Sequence, residues 1–343
     1  MITLGIETSC DETAAALVKG GREVLASVVF SSLEEHKEFG GVVPEIASRS
    51  HVEAVLKCLD LCLKKAKIHL RDIGLIAVTQ GPGLMGSLLV GLSAAKALAL
   101  ALGKPLVGVD HVVAHVYAGF LTDEKLSFPC LGFVVSGGHT VLARMDSPSR
   151  FKALGATVDD AAGEAFDKVA KILGLGYPGG PEVDRLARGV RSTRFFFKRP
   201  ILSRESLNFS FSGIKTAVLY EVRKLRSEQE RRKAAKEICA AFQESVTEVL
   251  TEKSIQAAKS QNLKAIVVGG GVSANSRLRE KLWARSRKEG IRVVFPPLPL
   301  CRDNAVMIAG LGRALYAEGK RDTLEMGSYS DFEEFLRSAN AGN

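Results

Sequence analysis

LGIETSCDETAAALV (Leu4–Val18) and LGFVVSGGHTVLARM (Leu131–Met145) share Leu, Gly, Ser and Thr at matching positions. Each stretch has an apolar segment, a short polar turn and a second apolar segment. That pattern is typical of a β-hairpin with a tight polar tip. Its recurrence indicates that the chain contains two copies of one structural unit.

The repeat continues beyond the two hairpins. LIAVTQGPGLMGSLLVGLSAAKALAL (75–100) and AIVVGGGVSANSRLREKLWARSRK (265–288) both read as a buried strand, a Gly-rich loop and a helix. Another apolar strand follows each of them, ending at Val109 and Phe295. We therefore predict two α/β domains facing a central cleft, over residues 1–125 and 126–343, with a helical and basic insert at about 160–260.

This arrangement is the plan of the fold shared by actin-like ATPases, sugar kinases and Hsp70 (the ASKHA fold). In that plan, nucleotide phosphates lie between the two hairpins and are held by backbone N–H groups that small residues leave accessible. Ser136, Gly137 and Gly138 supply such a tip. Asn275, in the loop 269–275, is placed to hydrogen-bond a base or ribose. The alternative is that each Gly-rich turn only closes a tight connection.

DHVVAH (Asp110–His115) raises the question of a metal, because two histidines four residues apart share one face of a helix. The metalloprotease motif HExxH needs a glutamate where this chain has Val112. His111 follows the last strand of the first half, and Asp303 follows the corresponding strand of the second. Two imidazoles and a carboxylate meeting in the cleft would form a triad suited to Fe(II), which we favour, or Zn(II). The alternative is a pair of surface histidines with no ligand.

The composition indicates a cytoplasmic protein. The first residues, MITLGIETSC, do not have the pattern of a signal peptide. The longest apolar stretch, Leu88–Gly103, is rich in Ala and Gly and contains Lys96, so it predicts a buried helix rather than a membrane span. The six cysteines form no CxxC pair, which indicates neither a zinc knuckle nor a disulfide framework.

A formal net charge of +9 suggests a polyanionic partner. The segment from Arg185 to Arg204 has seven Lys or Arg, no acidic residue and three consecutive Phe. Cationic side chains bind backbone phosphates, and Phe rings stack on unpaired bases. A second run of seven, from Arg223 to Lys236, is diluted by two glutamates and is expected to be a solvated helix face.

Eight motifs together resemble one family, the tRNA N6-adenosine threonylcarbamoyltransferases of the TsaD type, formerly called O-sialoglycoprotein endopeptidases. They are ETSCDET, GxVPExASRxH, QGPGL, HxxAH, SGGHT, GEAFDKVAKxLGLxYPGGP, FSFSGxKT and GGGVxANxxLR. The resemblance runs from about residue 2 to residue 315. SGGHT in place of SGGNT, with Val134 where archaeal and eukaryotic members usually have Tyr, is similar to the bacterial type.

The resemblance implies transfer of a threonylcarbamoyl group from threonylcarbamoyl-AMP to N6 of the adenosine 3′ of the anticodon, in tRNAs that read ANN codons. An exocyclic amine is a poor nucleophile because its lone pair is delocalised into the purine. The enzyme must therefore activate the acyl group and place the base against it. On this view the metal on His111, His115 and Asp303 binds the threonylcarbamoyl group as template and Lewis acid.

Further site residues follow from the family pattern. The backbone from Val134 through Val135 and Ser136 to Gly137 and Gly138 is expected to cradle the threonylcarbamoyl group and the adenylate phosphate. The residues expected to hold the AMP portion are Asp167, Gly180, Asp184 and Asn275.

The other hairpin tip carries two carboxylates, Asp11 and Glu12. We expect Asp11 to receive a proton from the attacking amine or to position it, and Glu12 to join the polar network on the metal side. The alternative for both is turn formation. Asp159, Asp160 and Glu164 are explained by capping at a helix start.

The resemblance also implies cofactors and partners. They are one divalent metal ion per subunit, an adenine nucleotide (threonylcarbamoyl-AMP, ATP or ADP), the ANN-decoding tRNA, the paralogue TsaB in a heterodimer, the P-loop ATPase TsaE, and an upstream synthase that makes the adenylate. Two other classes share the fold. A sugar or acetate kinase would have no use for the two histidines, and a non-enzymatic regulator would lack the metal residues.

Overall fold

The computed structural model describes residues 1–199 and 205–330. These residues divide into two compact units. The first unit contains Met1–Ser127, Asp146–Lys152 and the described chain from Pro296, and the second contains Phe128–Met145 and Ala153–Phe295. Arg204, the last cation of the basic segment, lies outside the described residues.

Within residues 1–199 and 205–330, ten strands form two five-stranded sheets. In chain order they are β1 (Ile2–Glu7), β2 (Glu12–Lys19), β3 (Glu23–Ser31), β4 (Ile73–Gly81), β5 (Leu106–Asp110), β6 (Cys130–Val135), β7 (Thr140–Met145), β8 (Phe151–Ala156), β9 (Ala265–Gly269) and β10 (Arg292–Val294). The strand order is β3-β2-β1-β4-β5 in one sheet and β10-β9-β6-β7-β8 in the other.

The two sheets have the same topology. Numbered within its own half, each sheet has its first strand at the centre, with the second and third on one side and the fourth and fifth on the other. β1 pairs antiparallel with β2 and parallel with β4, and β6 pairs in the same way with β7 and β9. The prediction of two duplicated α/β units, each opening on a hairpin, is confirmed.

The part of the chain that the structure describes also contains ten α-helices. They are α1 (Leu33–His36), α2 (Pro44–Ala66), α3 (Met85–Leu102), α4 (His111–Thr122), α5 (Ala162–Ile172), α6 (Gly179–Ala187), α7 (Ser212–Lys224), α8 (Glu228–Ser260), α9 (Ser276–Lys288) and α10 (Ala305–Ala317). α8 contributes many buried side chains to the core of the second unit, where Phe166 and Phe242 meet edge to face with ring centroids 5.0 Å apart.

The helix α10 packs directly on the first sheet, and this places the C-terminal part of the described chain in the first unit. A Cβ added to Gly5 of β1 would overlap the carbonyl oxygen of Ala305, so backbone meets backbone there. Ala14, Ala16 and Val306 belong to the core cluster that this contact buries. The predicted boundary at 125/126 put this segment in the second domain. The difference arises because α10 covers an apolar face of the first sheet.

One helix among the described residues, α3, is long and apolar enough to cross a membrane on length and composition alone. One face of it, with Leu88, Leu92 and Ala95, is buried in the core of the first unit. Leu89 and Leu100 are exposed. The predicted burial therefore applies to only one face of this helix.

Candidate metal centre and nucleotide loop

The two histidines of DHVVAH lie inside the first unit. α4 begins at His111, directly after β5, and Asp110 caps it by accepting a hydrogen bond from the Val113 N–H at 2.8 Å. Tyr329 donates its hydroxyl hydrogen to the other carboxylate oxygen of Asp110 at 2.7 Å. His115 follows one turn later, and both imidazoles are buried. They are therefore not surface histidines.

Asp303 meets both imidazoles from the loop before α10. Its Oδ1 lies 3.5 Å from Nε2 of His111 and 3.1 Å from Nε2 of His115, and the two Nε2 atoms are 3.2 Å apart. Ligands at about 2.1 Å from one ion lie about 2.9–3.4 Å from each other. The three atoms therefore fit the edges of a metal coordination triangle. The triad was expected to span two domains, but it lies within the first unit because α10 brings Asp303 there.

Glu7, at the end of β1, supports His111 from behind. Its Oε2 lies 2.9 Å from Nδ1 of His111 and accepts a hydrogen bond from the Thr79 hydroxyl at 2.7 Å. Ser9 Oγ lies 3.2 Å from the same Nδ1. A carboxylate at Nδ1 keeps the proton there and leaves Nε2 free for a metal. Glu7 was not among the predicted site residues, although a glutamate at the end of an apolar strand is a usable signal.

The charges of the site favour a bound cation. Burial would lower the pKa of His111, but the carboxylates of Asp303 and Glu7 outweigh it and hold that pKa well above its usual value. Burial, followed by the charge of His111, lowers the pKa of His115. Burial would raise the pKa of Asp303, but His111 and His115 hold it well below its usual value. The buried carboxylate of Glu7 and the half-buried one of Asp303, beside two imidazoles, therefore fit a divalent cation.

Asp11 and Glu12 belong to the same unit, at the tip between β1 and β2. Asp11 is buried, and Glu12 is the first residue of β2. Burial, then the negative charges of Asp303 and Asp11, raise the pKa of Glu12 to about 10. Glu12 is therefore protonated at neutral pH when no cation is bound. The charge of Asp303 thus acts on Glu12, and Asp11 is its neighbour at the same hairpin tip.

The tip of the second hairpin is open on its outer side and is held by hydrogen bonds and by close packing against α5. The Ser136 N–H donates to the His139 carbonyl at 2.7 Å, and the His139 N–H donates to Ser136 Oγ at 3.0 Å. A Cβ added to Gly137 or Gly138 would meet nothing within 4 Å. A Cβ on Gly163, at the start of α5, would lie 2.6 Å from the Ser136 carbonyl oxygen. Its glycines thus leave the outer side of the tip free for a ligand.

The four residues predicted to hold AMP are connected by contacts within the second unit. Asp167 of α5 accepts hydrogen bonds from the backbone of Gly179 and Gly180 at 2.7 and 3.4 Å. One turn along α6, Asp184 accepts from the Ser276 hydroxyl at 2.6 Å. The neighbouring Asn275 caps α9 through Leu278 and donates its amide to Gln243 at 2.7 Å. Asn275 thus already uses its side-chain oxygen and one amide hydrogen.

The acidic residues assigned to helix capping act at two different helices. Glu164 closes the first turn of α5 through the Ala161 N–H at 3.4 Å. Asp159 instead caps the distant α7, accepting from the backbone N–H groups of Phe211 and Ser212 at 2.7 and 3.3 Å. Asp160 pairs with Lys168 at 2.6 Å. Capping therefore explains Asp159 and Glu164, whereas Asp160 forms an ion pair.

Solved structures with the same architecture define the class of protein. They include T. kodakarensis HypF, with a TM-score of 0.61 at 13% identity over 93% of this chain and 48% of that one. Component A of the Acidaminococcus fermentans (R)-2-hydroxyglutaryl-CoA dehydratase gives 0.54 at 17% identity over 92% and 97%. Such identities show the fold alone. The chain is a two-domain α/β protein of the predicted actin-like and sugar-kinase fold, with a candidate metal centre in its first unit.

The sequence comparisons then show the family. The family model of TsaD, tRNA N6-adenosine threonylcarbamoyltransferase, matches residues 23–310. The enzyme of that name from Dictyoglomus turgidum is 50% identical over 331 residues, covering 96% of this chain and 98% of the relative. The one from Thermosipho africanus is 51% identical over 319 residues, covering 93% and 96%. The chain belongs to the TsaD family of transferases that form N6-threonylcarbamoyladenosine in tRNA. This membership excludes the alternative of a small-molecule kinase.

Proposed function

We propose that this enzyme transfers the threonylcarbamoyl group of threonylcarbamoyl-AMP to N6 of the adenosine 3′ of the anticodon in ANN-decoding tRNAs. The observation that carries the proposal is the triad of His111, His115 and Asp303, whose ligand atoms fit one divalent ion. We favour Fe(II), since two imidazoles and one carboxylate with open positions are typical of that ion. The protein works in the cytoplasm, where its tRNA substrate is found.

When bound, the ion would supply a Lewis acid that fixes and polarises the threonylcarbamoyl carbonyl. The N6–C bond then forms, the bond from the carbonyl carbon to the phosphate oxygen breaks, and AMP leaves. Asp11 receives the proton that N6 loses. Glu12, whose pKa is raised to about 10 by burial and by neighbouring carboxylates, places no second negative charge beside Asp11.

The adenylate is held by the second unit. The tip from Val134 through Val135 and Ser136 to Gly137 and Gly138 cradles the acyl phosphate, because backbone N–H groups beside glycine are accessible to anions. Asp167, Gly180, Asp184 and Asn275 hold the AMP portion. A continuous series of contacts from α5 through α6 to the start of α9 supports this assignment. ATP and ADP bind in the same place.

The tRNA contacts the basic segment that begins at Arg185. Phe195 and Phe197 are buried, but Phe196 is 83% exposed and is the one of the three that is free to stack on an unpaired base. The described part of the segment also lines a cavity of about 570 Å³ together with α8 and α9. The acceptor adenosine must leave its stack, which costs less in a loop than in a duplex.

A triple substitution tests this contact. Replacing Arg191, Arg194 and Lys198 by Ala should weaken tRNA binding and make its dependence on salt less steep, because fewer phosphate contacts release fewer counterions. The matched control removes the same charge from α8, with Ala at residues 231, 232 and 233, and should retain more of the affinity. An equal loss of tRNA affinity in both variants would show that the segment is not part of the tRNA-binding surface.

A heterodimer with the paralogue TsaB forms on the exposed apolar surface of α2 and α3. On α2, Val52 and Leu56 are 64% and 69% exposed, and on α3 Leu89 and Leu100 are 49% and 71% exposed. A partner's helices would cover such a surface. Leu56→Glu should abolish the complex on size-exclusion chromatography, whereas Leu298→Glu, at a residue 60% exposed elsewhere, should leave it intact. TsaE and the adenylate synthase complete the partner set.

The transfer itself is tested with purified protein of known metal content. It is given threonylcarbamoyl-AMP and an unmodified ANN-decoding tRNA, with TsaB and TsaE present, and the nucleosides are analysed by mass spectrometry. We expect modified adenosine with the wild type. His111→Ala and Asp303→Ala should lose both metal and product. Full activity in metal-free variants would overturn the metal-dependent mechanism.

A further inference from the structure

The tip of the first hairpin has its backbone carbonyl groups fixed one after another. The carbonyl of Ser9 accepts a hydrogen bond from the Leu84 N–H at 2.8 Å. The next two carbonyls, of Cys10 and Asp11, are held by groups from α2 and from the segment around α1. Two histidines that the transfer mechanism does not use, His36 and His51, are part of those contacts, and both are fully buried.

His51 of α2 joins the tip to the start of β2. Its Nε2 lies 3.0 Å from the Cys10 carbonyl oxygen, and its Nδ1 lies 2.8 Å from Thr13 Oγ1. A carbonyl oxygen can only accept, so Nε2 carries the hydrogen, and Nδ1 accepts from the Thr13 hydroxyl. Burial lowers the pKa of His51, which keeps the ring neutral. The contacts therefore select one neutral tautomer.

His36 reaches the tip through Ser32. The Val43 N–H donates to Nδ1 of His36 at 3.3 Å, and Nε2 of His36 lies 3.1 Å from Ser32 Oγ. Since a backbone N–H only donates, Nδ1 accepts and Nε2 carries the hydrogen. Ser32 then donates its own hydroxyl hydrogen to the Asp11 carbonyl at 3.0 Å, and its backbone N–H donates to the same oxygen at 3.0 Å.

We propose that His51 and His36 are positioning residues, which hold the Cys10 and Asp11 carbonyls so that the Asp11 and Glu12 side chains keep a fixed place beside the triad. The two histidines act in the same tautomer, with hydrogen on Nε2. This inference rests on the proposed function in one respect, namely that Asp11 takes part in the transfer. Displacement of a reacting group by about 1 Å costs up to about 100-fold in rate.

Substitutions at His51 and Thr13 test the kinetic consequence. His51→Leu removes both hydrogen bonds and should lower kcat by about 10- to 100-fold, with the metal content and the KM for tRNA unchanged. His51→Gln keeps an N–H near the Nε2 position and should recover most of the loss. Thr13→Val leaves His51 in place but removes the donor to Nδ1, so it should lower kcat by a smaller factor and keeps the test valid if His51→Leu does not fold.

Wild-type kcat in both His51→Leu and Thr13→Val, or no recovery in His51→Gln, would overturn the positioning role. His69→Gln is the matched control, because His69 is exposed and should be replaced without loss of activity. If the wild type itself forms no modified adenosine with its full partner set, the proposed function fails instead, and the measurement below still decides the geometry.

Nitrogen NMR of histidine-labelled, zinc-loaded protein tests the tautomer independently of activity. We expect hydrogen on Nε2 and none on Nδ1 for both His36 and His51. The exposed His69 lies outside this network and supplies the reference signal. A hydrogen on Nδ1 of either buried histidine, in place of or in addition to that on Nε2, would contradict the inferred network.

Discussion

Glu7 Oε2 and His111 Nδ1 lie 2.9 Å apart, and this contact joins the first strand of the chain to the candidate metal centre. Glu7 is fully buried and also accepts hydrogen bonds from the Thr79 hydroxyl and the Ser9 N–H. Burial would raise its pKa, but His111 outweighs the burial and lowers it. The imidazole therefore has a fixed orientation, with Nε2 directed at Asp303 and His115.

Glu7→Gln should weaken metal binding by about 10- to 100-fold, because an amide orients and polarises the imidazole less well than a carboxylate. Metal affinity can be measured by competition with a chelator. Glu12→Gln is the matched control. Glu12 is protonated without metal, so the amide is close in charge and shape, and the affinity should fall much less. Equal affinities in Glu7→Gln and the wild type would contradict the supporting role.

Glycine substitutions in the second unit should separate folding from nucleotide binding. Gly270 has φ +87° and a Cβ there would lie 2.5 Å from the Val135 carbonyl oxygen, so Gly270→Ala should destabilise the protein by about 1–3 kcal/mol.

Gly137→Ala has open space around its Cβ, so it should leave the melting temperature unchanged and weaken ADP binding by crowding the loop. Thermal unfolding and titration calorimetry measure both effects. Gly213→Ala, in α7, also adds a Cβ in open space and should leave ADP binding unchanged. Normal ADP affinity in Gly137→Ala would exclude the loop from nucleotide binding.

The carboxylate of Asp159 should stabilise the fold above about pH 4. Burial would raise its pKa, but hydrogen bonds from Ser210, Phe211 and Ser212 outweigh the burial and lower it. The stabilisation is then present above the usual carboxyl pKa of about 3.9 and is lost as pH falls through the lower folded value.

Asp159→Ala should therefore lower the free energy of unfolding by about 1 kcal/mol at pH 7 and by less at pH 3. Denaturant titrations at the two pH values measure the difference. Asp60→Ala removes a carboxylate from an exposed pair with Lys64 and should change stability by less than about 0.5 kcal/mol. A loss in Asp159→Ala that stays the same down to pH 3 would contradict the ionic contribution.

Tyr329→Phe should destabilise the start of α4. The Tyr329 hydroxyl donates to Asp110, which caps the helix that carries both histidines. Its removal leaves a carboxylate oxygen without that donor, at a cost of about 1–3 kcal/mol. We expect a lower melting temperature and faster loss of metal to a chelator. Tyr220→Phe, at an exposed tyrosine, should show neither effect.

Local patterns in the sequence were sufficient to predict the repeated units. The two hairpins and the strand, loop and helix that follow them each depend on residues near one another in the chain, and all were found where expected. The pair His111 and His115 was also predictable, since helical spacing places them on one face. Asp303 was predictable only through the repeat. The prediction put it in the second domain, whereas it lies in the first unit, because nothing in the local sequence shows which sheet α10 covers.

Contacts between distant parts of the chain account for the rest. Glu7 meets Thr79 and His111 only after three strands have aligned in one sheet. Asp159 caps α7, which begins about fifty residues further along the chain. Its position just before α5 had suggested that it caps that nearer helix. The burial of Phe195 and Phe197 beside the exposed Phe196 depends on the packing of the second unit, which composition does not reveal.

The discontinuous first unit has a consequence for biosynthesis. His111 and His115 leave the ribosome long before Asp303, because the whole second unit is encoded between them. At typical rates of synthesis, the roughly 190 intervening residues take about 10–40 s. During that time the nascent chain has a pair of imidazoles without their carboxylate, beside a sheet that α10 has not yet covered. The three side chains of the candidate metal centre can therefore come together only near the end of synthesis, after the whole second unit has been made.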